Sequence, residues 1–120
     1  WLPTAWLQPL VAVTLWRDAP QPLQLAHNGQ LYFDGEAPAG EFQVRYRQGG
    51  EVMHLPGRGH RDLKRLLNES GLPVFIRSRL PLLYRENQLL AVANLPGLDG
   101  TAHGNWRLRW ISPTNDQSLS

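Results

Sequence analysis

The chain has 120 residues, 42% of them hydrophobic and 18% charged, which is one domain's worth of chain with enough apolar side chains for a core; wholesale disorder and two well-packed domains are both excluded. It contains no Cys, so a disulfide framework, a thiolate zinc site and a Cys nucleophile are excluded together. Twelve basic residues against ten acidic ones leave a formal charge of +2, too small a total to name a partner.

In chain order, Trp1 to Pro9 combines two Trp with two Pro and predicts irregular chain packed on a neighbour. Residues 1–22 as a whole read as an irregular connection toward another domain. A chain opening on Trp, with no charged and apolar leader, is expected to be a piece of a longer protein. Leu10 to Trp16 is rich in strand formers and predicts a strand, far shorter than the roughly 18 apolar residues of a membrane span. Asp18 to Pro22 breaks it. Leu23-Gln24-Leu25, the pair Asn28-Gly29 and then Gln30 to Asp34 predict a hairpin closed by a type I′ turn.

Glu41 to Arg47 alternates strictly, with Phe42, Val44 and Tyr46 on one face and Gln43, Arg45 and Arg47 on the other, the pattern of a half-buried strand. Gly49-Gly50 turns the chain, and Pro56 to Gly59 reads as a flexible loop. Arg61 to Glu69 predicts a helix in which Leu63, Leu66 and Leu67 oppose Arg61, Lys64, Arg65 and Asn68. Gly71 suits its end, and Pro73 opens a second short helix or turn reaching Leu80. Pro81 to Tyr84 and Gln88 to Ala93 form a second hairpin around Arg85 to Asn87. After a Gly-rich loop over 95–104, Asn105 to Ile111 alternates again, with Trp106, Leu108 and Trp110 opposite Arg107 and Arg109. Residues 1–113 then form one domain and 114–120 a polar tail. Strands, a helical insert and more strands predict an α+β fold: an antiparallel, β-sandwich-like domain with one or two helices inserted mid-chain.

Familiar active-site motifs are missing. There is no phosphate-binding G-x-x-x-x-G-K-[ST] loop, no G-x-S-x-G elbow and no H-E-x-x-H pair. His27, His54, His60 and His103 lack metal-ligand spacing, and Asp34 with Glu36 reads as a solvated pair of carboxylates. No catalytic residue, metal or cofactor site is expected in this chain.

What remains is basic surface. Residues 1–56 carry three basic and five acidic groups, a net −2; residues 57–111 carry nine and four, a net +5; the tail adds −1. Eleven of the twelve cations are Arg, whose planar fork of donors pairs bidentately with phosphate. Coding bias toward Arg explains the ratio equally well, so placement carries the argument. Cations at 61, 64 and 65 share one helix face and repel one another, which costs a few tenths of a kcal/mol per pair unless an anion lies nearby. A solvated face flanked by Asp62 and Glu69 is the bland alternative. The neighbouring Gly-rich loop and the following Arg77 and Arg79 favour phosphate.

Three runs carry a resemblance: Val44-Arg-Tyr-Arg-Gln-Gly-Gly-Glu51, then Gly57-Arg-Gly-His-Arg-Asp-Leu-Lys-Arg-Leu-Leu-Asn-Glu-Ser-Gly-Leu-Pro73, then Arg77 to Tyr84 followed by Leu89-Leu-Ala-Val92. From about Phe42 to Val92 the chain resembles the C-terminal domain of bacterial tRNA(Ile)-lysidine synthetase. That resemblance implies a parent ligase that uses ATP, with Mg, to adenylate the wobble cytidine of tRNA(Ile) and then joins lysine to it. The chemistry would sit in an N-terminal domain with an S-G-G-x-D-S loop, and Ser-Gly-Gly is absent here. It also implies a sandwich-like module shared with the phenylalanyl-tRNA synthetase β subunit, a cytoplasmic location, no membrane, and a role in gripping the tRNA near its acceptor stem. The matching basic positions are Arg45, Arg47, Arg58, Arg61, Lys64, Arg65, Arg77 and Arg79. Expected partners are tRNA(Ile) and the parent's own N-terminal catalytic domain, with a homodimer open. The competing reading is an interaction platform or interdomain module without RNA contact, its apolar patch supplied by Trp1, Trp6 and Trp16.

Overall fold

Period-two alternation builds most of the framework. The structure, a computed structural model, describes residues 12–17, 20–25, 27–55, 59–95, 97–100 and 104–112. In chain order these form β1 (Val13–Trp16), β2 (Leu23–Gln24), β3 (Gln30–Gly35), β4 (Phe42–Arg45), β5 (Val52–Leu55), β6 (Gly59–Asp62), α1 (Leu63–Ser70), α2 (Val74–Arg77), β7 (Leu82–Arg85), β8 (Gln88–Val92) and β9 (Trp106–Ile111). The strands make a four-stranded sheet in the order β1-β4-β7-β8, a three-stranded sheet β2-β3-β9 and the separate hairpin β5-β6. Every pairing is antiparallel, and the helices fall between β6 and β7, so the expected α+β class with a mid-chain helical insert is what forms. No described helix is long and apolar enough to cross a membrane.

The two larger sheets meet through aromatic rings. Phe33 of β3 stacks on Trp16 of β1 at 4.6 Å between centroids and leans on Phe42 of β4 at 5.6 Å. It also meets Trp106 of β9 edge-on at 5.2 Å. Such pairs add about 0.5–1.5 kcal/mol each beyond the area they bury. The alternating residues predicted inward are inward: Phe42, Val44, Tyr46, Trp106, Leu108 and Trp110 are all buried. Trp16 is buried as well, so it does not supply the apolar patch of the interaction-platform reading; Trp1 and Trp6 lie outside the described residues.

Three local expectations change. Gly59 to Asp62 belong to a strand, with Met53 opposite Arg61 and Val52 opposite Asp62, so the hairpin β5-β6 replaces part of the expected loop and the first two residues of the expected helix. Cross-strand pairing, which helical periodicity does not register, captures Arg61 and Asp62. The ladder runs straight into the helix: Leu63 N–H donates to the Glu51 carbonyl at 2.9 Å, and the Asp62 carboxylate accepts from Lys64 N–H at 3.2 Å as an N-cap. Secondly, Asn28-Gly29 does not make a two-residue turn. Leu25 N–H donates to the Gly29 carbonyl and Asn28 N–H to the Leu25 carbonyl, which lengthens the loop and turns the Asn28 side chain into the core. Thirdly, the two-residue turn with positive φ at both positions is at Glu86-Asn87, between β7 and β8. The end of α1 is as expected, with Gly71 left-handed at φ 77°.

Candidate nucleic-acid interface

A cation reaches solvent only if its own element is anchored on the other side. Leu63 and Leu67 are fully buried, and their spacing forces Lys64, Arg65 and Asn68 outward on α1. Arg61 is exposed on β6, two residues before the helix begins. Arg65 Nε lies 3.7 Å from Glu69 Oε2, one turn on, but both side chains are more than two-thirds exposed, so this pair is worth little. Among the described residues Arg61 and Lys64 have no salt bridge. The segment from 61 to 65 therefore presents three cations within five residues.

The other expected cations are differently employed. Arg45, on β4, donates from Nε to Gln43 Oε1 at 3.0 Å and from Nη2 to Asn87 Oδ1 at 2.7 Å, and its guanidinium lies over the Tyr84 ring at 4.4 Å. Arg47 is half-buried, and its Nε is enclosed without a hydrogen-bond partner among the described residues. Arg77, ending α2, donates to the Leu72 carbonyl at 2.7 Å and to Asn68 Oδ1 at 2.6 Å, tying the two helices together. Arg79 is 7% exposed. It donates from Nε to Asn28 Oδ1 at 3.1 Å and from Nη2 to the His27 carbonyl at 2.7 Å. Burial pushes its guanidinium below the ordinary value, opposed by the Tyr46 hydroxyl nearby. Arg58 lies outside the described residues. Thus Arg61, Lys64 and Arg65 form one exposed group, while Arg77 and Arg79 face the protein.

On β9, Arg107 is exposed, whereas Arg109 sits 3.9 Å from both Asp34 and Asp99. Arg85 stacks over Phe42 at 4.5 Å. The ties of Arg109 and Arg85 join separate segments of the chain, so no local pattern in the sequence announces them.

A second feature lies between the β7-β8 turn and the face of β5-β6 that carries Val52 and His60. Arg45, Glu51, Val52, His60, Tyr84, Asn87, Gln88 and Leu89 line a cleft of about 580 Å³. Both carboxylate oxygens of Glu51 accept backbone N–H bonds, from Gln48 at 2.7 Å and Gly49 at 3.0 Å, so the Gly49-Gly50 turn fixes that side chain. Burial and the charge of Glu51 push the Tyr84 hydroxyl above its ordinary value, with Arg45 acting the other way. Of these residues only Arg45 was expected at a site; the Gly-Gly-Glu run was the available signal for Glu51. Among the described residues no group of three or more His, Asp or Glu is placed to hold a metal ion.

Comparison with known proteins adds independent weight. A family model described as the TilS substrate C-terminal domain matches residues 42–110. Over all 120 residues the chain is 62% identical to a tRNA(Ile)-lysidine synthase of Pseudomonas syringae pv. tomato and 56% identical to one of Pseudomonas aeruginosa. It is 45% identical over 82 residues to one of Xanthomonas axonopodis pv. citri, a match covering 64% of this chain and 18% of that protein. The chain spans 27% of the length of the two Pseudomonas relatives.

Proposed function

The chain belongs to the family of the TilS substrate C-terminal domain, and from that premise we propose that it is the tRNA-gripping domain of an ATP-dependent ligase that converts the wobble cytidine of tRNA(Ile) to lysidine. The domain binds the tRNA around its acceptor stem and performs no chemistry itself. ATP, Mg and the lysine-joining step belong to the N-terminal catalytic domain, its partner within a cytoplasmic enzyme. The antiparallel sheets with their helical insert are then of the type shared with the phenylalanyl-tRNA synthetase β subunit.

The observation that carries this reading is the exposed trio Arg61, Lys64 and Arg65. A duplex stem is read through phosphates, 2′-hydroxyls and shape, which suits cations held on a rigid strand-helix junction. Arg47 and Arg58 extend the contact set, Arg45 borders it, and Arg77 and Arg79 hold the helical insert in place behind it. In the complete enzyme, Arg61→Ala with Arg65→Ala should lower the slope of log affinity for tRNA against log salt by roughly one to two. Salt-independent binding, or an unchanged slope in the double variant, overturns the reading.

One observation favours the interaction-platform reading. Val13 and Leu15, on the edge strand β1, are 45% and 46% exposed. If this face docks a protein in place of RNA, Val13→Lys with Leu15→Lys weakens that assembly and the Arg61/Arg65 variant leaves tRNA retention intact.

A further inference from the structure

The cleft lined by Arg45, Glu51 and Tyr84 has a chemistry of its own. Phosphate does not suit it, because the Glu51 carboxylate, fixed by two backbone amides, stands in its wall. A planar ring with polar edges does. The Arg45 guanidinium carbon lies over the Tyr84 ring, 4.4 Å from its centroid, and a hydrogen bond to Asn87 holds it there. Guanidinium planes and aromatic rings are the surfaces on which unstacked bases settle. Val52 is 51% exposed where it borders the cleft and offers an apolar contact. Glu51 supplies acceptors to the lining, while Asn87 and Gln88 supply both donors and acceptors. The volume falls within the usual range for small-ligand sites.

We propose that this cleft receives one unpaired nucleobase of the bound RNA, stacked against the Arg45–Tyr84 pair, with an amino edge donating to Glu51. Adenine, cytosine and guanine satisfy Glu51 with an exocyclic N–H; uracil does not. The inference rests on the tRNA-binding reading and extends it from backbone grip to recognition of a single base. His60 borders the cleft and Arg61 follows it on the opposite face of β6, so one strand serves both the base and the phosphates.

The test uses the complete enzyme with a tRNA(Ile) transcript, measuring affinity against salt and chemical reactivity of each unpaired base. Arg45→Lys keeps the charge and loses the plane; Glu51→Gln keeps the shape and loses the carboxylate. The expected result is one base protected by the wild type and exposed in both variants. Affinity should fall about five- to tenfold with the salt slope unchanged, the size of one lost stacking contact. Substituting uracil at the protected position should reproduce the loss. Identical protection patterns in wild type and both variants, with the Arg61/Arg65 salt effect present, overturn the base site and leave the phosphate grip standing. Absence of that salt effect overturns both. Thermal unfolding of Arg45→Lys and Glu51→Gln, expected within a few degrees of wild type, separates a lost contact from a lost fold.

Discussion

Asn28 and Arg79 hold each other reciprocally: Asn28 Nδ2 donates to the Arg79 carbonyl at 2.9 Å, and Arg79 Nε donates to Asn28 Oδ1 at 3.1 Å. Two more groups close the set. Asn28 Nδ2 also donates to Tyr46 Oη at 3.2 Å, and Trp110 Nε1–H donates to the Asn28 carbonyl at 2.8 Å. A loop residue of the small sheet thereby joins β9, the chain after β4 and the end of the helical insert, so the cations on α1 inherit a fixed base.

Asn28→Ala removes a side chain that is 0% exposed and leaves the Arg79 guanidinium with one fewer acceptor in a buried site. A loss of about 2–4 kcal/mol is expected, because the stranded groups keep their desolvation cost. Urea unfolding should show a lower midpoint at constant slope.

Exposed and inward cations should separate cleanly. Arg61→Ala and Lys64→Ala should shift unfolding by less than about 0.5 kcal/mol while weakening tRNA binding. Arg79→Ala should do the reverse in kind, lowering the unfolding midpoint at every salt concentration, and an unaltered midpoint would contradict the role assigned to it.

Alkaline pH should weaken the fold. Burial raises the Tyr46 and Tyr84 hydroxyls above their ordinary value of 10.0, although the Asn28 hydrogen bond and the Arg79 charge oppose this at Tyr46. The unfolded chain then loses these protons first as pH rises. Stability from the neutral phenols is complete below about pH 10 and declines above it. Urea midpoints taken at pH 9 and pH 11 should fall, and Tyr46→Phe should flatten part of the decline.

Two glycines should differ in kind. At Gly71 (φ +77°) an added Cβ meets nothing within 4 Å, so Gly71→Ala costs only the left-handed strain at the end of α1, about 1 kcal/mol. At Gly100 (φ +107°) the new carbon would overlap Cζ3 and Cε3 of the buried Trp106 ring. Gly100→Ala should cost about 3 kcal/mol or more and quench or shift the tryptophan fluorescence signature of the native state.

Alternation at 42–46 and 106–110 determined the buried faces of β4 and β9, since a period of two admits only one inward set once a core exists. The leucine spacing of α1 likewise settled which side of the helix faces solvent, and the three motif runs were enough to identify the family. Pairings between distant segments were not legible. Nothing local to Gly59–Asp62 announces a strand, because its partner Val52–Leu55 must first be brought alongside. Nothing local to Asn28 distinguishes a turn residue from a buried hub whose partner Arg79 lies 51 positions away. The basic character of the chain was therefore set by composition alone. Beyond α1, which of its arginines meet solvent and which meet Asn28, Asn68, Tyr84 or Asp99 was decided only by tertiary structure, because those partners come within reach only once separate segments pack together.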